Sequence, residues 1–245
     1  MSSYKLALIM SRRSRQLALR FPNGWGGRRD GAGRKPGIRP KTPHRARPEH
    51  DRSNPVHVTM RSAFRPLRSQ FVFPTVRLAI AAANRGDGKR FRIVHFSVQT
   101  DHLHLLVEAA DKMALSSGMR GLAIRIARAV NALVVRRGCV WADRWHGRSL
   151  QSPRATRNAL KYVLGNFRKH HPRVRTSIDA FSSAPYFTGF REYRGRMAVE
   201  VDSGLVPRSL GPPDRGTVRA PRTWLLSAGW RARGGYLSVD DAPSI

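Results

Sequence analysis

The chain contains one cysteine, Cys139, among 245 residues. That excludes an intramolecular disulfide and a zinc site built from several thiolates. Acids are scarce as well: 15 Asp+Glu stand against 46 Lys+Arg, leaving a formal net charge of +31. So basic a protein repels itself unless it meets polyanions, and phosphate backbones are the commonest of these. Long apolar runs are missing too. Leu6-Ala7-Leu8-Ile9-Met10 is too short for a signal core or a membrane span. No internal repeat is visible. These absences predict a cytosolic protein, associated with the nucleoid rather than with a membrane.

Residues 1–54 carry a net charge of +11 and are dominated by Gly, Pro and Arg. Such a composition cannot bury enough apolar surface to offset chain entropy, so a disordered basic DNA-binding arm is expected. Within it, Gly33-Arg34-Lys35-Pro36 has the form of an AT-hook core, which would lay Arg34 and Lys35 into an A·T-rich minor groove. A generic solvated basic arm accounts for the same residues.

The folded region is expected over 55–172, with an irregular tail over 173–245 and one short helix near 223–233. Val56 to Arg61 alternates like a strand. Phe73 to Asn84 reads as a helix with Pro74 in its first turn. Phe91 to Gln99 and His102 to Ala109 read as two strands joined by a turn at Thr100-Asp101. Leu115, Met119, Leu122, Ile126, Val130 and Leu133 mark a helix over 112–137, stopped by Gly138. Its arginines suit a solvated face or a phosphate-binding one. In Trp141-Ala142-Asp143-Arg144-Trp145-His146-Gly147-Arg148, aromatics alternate with cations. Trp141 and Trp145 could stack on unpaired bases while Arg144 and Arg148 hold phosphates; equally, the tryptophans could be core. Ser152 and Pro153 then open a further helix. Its apolar side is Leu160, Val163, Leu164 and Phe167, and Tyr162 lies opposite with Asn158, Asn166 and Lys169.

His102 and His104 are two residues apart in a strand, so both leave the same face. Paired imidazoles on a rigid element can begin a divalent-metal site, and they can also be ordinary strand histidines. Tyr162 follows 58 residues after His104, with Asn166 one helical turn beyond it.

This order and context resemble the single-tyrosine HUH transposases and, within them, the REP-associated tyrosine transposases of bacteria. The matching pieces are His57-Val58-Thr59, Asp101-His102-Leu103-His104-Leu105-Leu106-Val107, Arg144-Trp145-His146 and Tyr162-Val163-Leu164-Gly165-Asn166. The Pro221-Arg222-Thr223-Trp224-Leu225-Leu226 tail is also in keeping. The resemblance implies an α+β, ferredoxin-like antiparallel sheet with helices on one face. It implies Tyr162 as nucleophile, and His102, His104 and Asn166 as ligands of Mg²⁺ or Mn²⁺. Related enzymes often have Gln where this chain has Asn166. Lys161 or Lys169 would ease loss of the phenolic proton. The implied substrate is single-stranded DNA beside hairpin-forming palindromic repeats, cut through a 5′-phosphotyrosine intermediate by a monomer or homodimer. Two other readings keep the basic arm: a non-catalytic DNA-binding protein for palindromic repeats, and a nuclease that uses water.

Overall fold

The computed structural model describes residues 48–86, 88–170, 178–193, 195–201, 208–210, 216–232 and 234–241. Most of the basic arm, with Arg34 and Lys35, therefore lies outside the described residues.

Four strands form one antiparallel sheet: β1 (Val56–Arg61), β2 (Phe91–Val98), β3 (His102–Ala109) and β4 (His146–Ser149), in the order β2-β3-β1-β4. β3 lies between β1 and β2 and is antiparallel to both. β1 and β2 are therefore parallel, joined through helix α1 (Phe73–Asn84) with a third strand inserted. This split βαβ arrangement is the ferredoxin-like fold. β2 and β3 are buried along nearly their whole length. Their near-continuous apolar sequence follows from that, since a sheet covered on both faces has no need of a polar one.

One face is covered by α1 and α2 (Lys112–Leu133), which enclose Val58, Ile93, Phe96, Leu103, Leu105 and Val107. Pro74 occupies the first turn of α1 as expected. The cap of α2 is Asp111, whose Oδ1 accepts from the Ala114 N–H at 2.6 Å. The helix ends at Leu133, earlier than the sequence suggests, because the backbone turns left-handed first at Val135 (φ 49°) and again at Gly138 (φ 109°). No described helix is long and apolar enough to cross a membrane.

Helices on one face describes α1 and α2 only. α3 (Pro153–His170) packs on the opposite face, where Leu160, Val163 and Leu164 meet Val94 and Leu106. Ser152 begins it as expected, its Oγ accepting from the Ala155 N–H at 3.2 Å. The tail is more ordered than its composition suggests. Phe187, Phe190, Leu226, Trp230 and Leu237 complete a second core around α3. Each such buried side chain contributes roughly 1.5–3 kcal/mol. Single helical turns form at Ala198–Val201 (α4) and Trp224–Ser227 (α5). Two buried carboxylates help to hold the tail down. Asp179 makes a two-pronged pair with Arg68 at 2.5 and 3.0 Å, and that guanidinium lies between the Phe167 and Phe181 rings. The buried Glu108 carboxylate accepts from the backbone N–H groups of Arg222 and Thr223 and from the Thr223 hydroxyl.

Candidate active site

The strand period sends His102, His104, Leu106 and Glu108 to the face that α3 covers. β1 pairs with β3 so that Thr59 stands opposite His104 and His57 opposite Leu106. Three imidazoles consequently meet. The His102 and His104 ring centroids are 4.7 Å apart, and those of His57 and His104 5.3 Å. α3 crosses above them and brings Tyr162, whose ring is 4.9 Å from His104 and 5.7 Å from His57, edge to face in both cases.

Both members of the histidine pair are held through Nδ1. His102 Nδ1 is 2.7 Å from Asp101 Oδ1. His104 Nδ1 is 3.2 Å from Thr59 Oγ1 and 3.3 Å from His57 Nε2. Orienting partners on one ring nitrogen are what metal-binding histidines commonly have, and here they leave Nε2 as the nitrogen of each that can face a ligand. The hydrogen bond from His102 also holds the Asp101 carboxyl below its usual range, with Arg65 and Arg61 adding to the effect.

His57 was visible in the sequence only as part of a motif, without a role. Burial pushes its imidazole down to about 4, with the charges of Arg148 and His146 on β4 acting in the same direction. It is therefore neutral at physiological pH and able to accept as well as donate. The i+2 signal that exposed the other two histidines says nothing about it, because its contact to His104 depends on strand register.

Asn166 departs from its expected place on a polar face. It is fully buried, and neither its amide oxygen nor its amide nitrogen has a hydrogen-bond partner. An orphaned buried amide costs about 1–3 kcal/mol, so a group of this kind one turn from Tyr162 invites a ligand. Among the described residues, no three His, Cys, Asp or Glu side chains form a group that could hold a metal. The expected ligands His102, His104 and Asn166 would instead make a mixed set of two imidazoles and one amide oxygen.

The remaining expected residues are distributed unevenly. Arg148 is brought to the site, opposite His57 on β4, and is exposed. Arg144 is exposed as well. Trp141 and Trp145 are half-buried against the main core, and the Trp141 indole donates to the Ala123 carbonyl at 2.9 Å. Lys161 is turned towards the tail, with Nζ 3.4 Å from Asp241. Lys169 is in the last turn of α3 and its side chain is outside the described residues.

Residues 74–165 match the family model described as Transposase IS200 like. That stretch is similar to the IS200-like transposases. The matched stretch takes in the histidine pair and Tyr162 and stops one residue before Asn166. IS200-like transposases are DNA-processing enzymes, in keeping with the charge of this chain. A solved structure described as "Structure of the REP associates tyrosine transposase bound to a REP hairpin" aligns over 73% of this chain and 98% of that one, at 18% identity and a TM-score of 0.47. No curated protein matches the chain in sequence.

Proposed function

We propose that this protein is a metal-dependent, single-tyrosine DNA strand transferase of the REP-associated type. It would cut and rejoin single-stranded DNA beside hairpin-forming repeats. The observation that carries this reading is the placement of the Tyr162 ring against His104 and His57 by a helix on the far side of the sheet. A half-buried phenol above a histidine cluster has no packing need for those neighbours.

His102, His104 and Asn166 would hold Mg²⁺ or Mn²⁺, which when bound draws charge from a phosphate oxygen and orients the phosphorus. The chain's own residues do the rest. Tyr162 Oη forms the new bond to phosphorus while the bond to the 3′ oxygen breaks, and the phenolic proton is lost as the leaving oxygen gains one. His57, kept neutral by burial, packs beside the phenol without adding charge to the site. The new ester has about the energy of the old one, so a DNA 3′-OH can reverse the step. Arg148 and Arg144 lie on the exposed edge where phosphates would run.

The test is incubation with hairpin-bearing single-stranded DNA and Mn²⁺, followed by a denaturing gel. DNA labelled 3′ of the cut should stay on the protein, and the 5′ fragment should be free with an extendable 3′-OH. Tyr162→Phe should abolish cleavage and keep binding. A Phe variant that still nicks DNA would establish the water-nuclease reading instead. Wild type that binds hairpins and never cuts would establish the non-catalytic one.

A further inference from the structure

A cleft of about 480 Å³ opens at the far end of β3, where the tail is clamped to the sheet. Its lining includes four cations, Arg52, Lys89, Arg92 and Arg222, and one acid, Glu108. Glu108 is committed to the tail backbone and to Arg92, 3.6 Å away. Arg52, Lys89 and Arg222 are exposed. Trp224, 60% exposed, forms the remaining wall.

An exposed tryptophan is ordinarily costly and mobile, and this one is fixed. Thr223 caps α5, its hydroxyl accepting from the Leu226 N–H, and Glu108 holds Thr223. One side of the indole rests on Gly229, where a Cβ would meet ring carbons at 2.7 Å. The indole is otherwise largely open and lines the same cleft as the cations. A rigid aromatic face bordered by lysine and arginine is the arrangement that stacks an unpaired base and holds its phosphates. A duplex offers no free base to such a face.

We infer that the Trp224 cleft is a second contact for single-stranded DNA, stacking one base and binding the phosphates beside it. Glu108 leaves the same sheet face as His104, four residues along the strand, which sets the cleft about 13 Å from the histidine cluster along β3. A strand leaving the active site can reach it. The inference rests on the DNA reading of the protein and not on cleavage.

The test uses the full chain in a Tyr162→Phe background, so that the probe survives. Fluorescence anisotropy is recorded with labelled oligothymidylate of about 20 nucleotides and with a blunt duplex of similar length. Trp224→Ala should weaken oligothymidylate binding about 5- to 150-fold, the range of one base–aromatic stack. Duplex binding should stay within about twofold, and Trp224→Phe should recover most of the loss. Gly229→Ala, which pushes the indole aside without removing it, should weaken the same probe. Lys89→Gln should lower the salt slope by about 0.7, one phosphate on a single strand. Unchanged oligothymidylate affinity in Trp224→Ala, or an equal loss on the duplex, would overturn the assignment. Either result would leave the cleavage reading of Tyr162 where it stands.

Discussion

Replacing Asn166 by Leu separates stability from function at one side chain. The two residues have similar shape, so packing changes little. Asn166 is wholly buried, with both polar atoms of its amide lacking partners. Removing an unsatisfied buried amide should return about 1–3 kcal/mol to the metal-free protein. For a chain of this size, each kcal/mol raises Tm by about 2–4 °C. Asn166→Leu should therefore melt several degrees above wild type in EDTA. Adding Mn²⁺ should reverse the order. At a hundredfold excess over its Kd, a ligand that binds only the folded state adds about 2.7 kcal/mol. Wild type should gain that stability, and the variant, with one donor lost, should gain little and should not cleave. Differential scanning calorimetry with and without Mn²⁺, with the gel assay in parallel, reads all three quantities. A variant less stable than wild type in EDTA would show that the amide is satisfied in solution. One that keeps both the Mn²⁺ shift and cleavage would remove Asn166 from the ligand set.

Two further outcomes follow from buried polar groups outside the site. Burial pushes the His95 imidazole down to about 3, whereas it titrates near 6.5 when unfolded. The unfolded chain thus binds the extra proton first, and stability contributed by neutral His95 is complete above pH 6.5 and lost as pH falls towards 3. By pH 5 the loss should be about 2 kcal/mol. Urea midpoints for wild type and His95→Gln should converge between pH 7 and 5, and parallel curves would show that His95 is accessible to protons. Glu108→Ala should cost about 3–5 kcal/mol, since it leaves the Arg92 charge without its carboxylate and three tail donors without their acceptor in a buried place. It should also expose residues 216–232 to limited proteolysis, and a tail as resistant as wild type would mean that the aromatic core holds it without the clamp.

What the sequence settled was local and periodic. Two-residue spacing put His102 and His104 on one face, 3.6-residue spacing put Tyr162 and Asn166 on one helix side, and Ser152-Pro153 fixed where that helix starts. The α+β alternation and the basic excess were equally plain. These properties depend on neighbours within a turn or a strand, so the order of residues encodes them directly. Tertiary structure decided the rest. The register of β1 on β3 made His57 a neighbour of His104 across 47 residues. The crossing of α3 over the far sheet face buried Asn166, which a helical wheel assigns to the polar side. The docking of the tail turned Lys161 towards Asp241, clamped Thr223 on Glu108 and left Trp224 facing outward. Each of these contacts joins segments far apart in the chain. Which such pairs meet depends on how two cores fill space together, and no spacing within one segment carries that information.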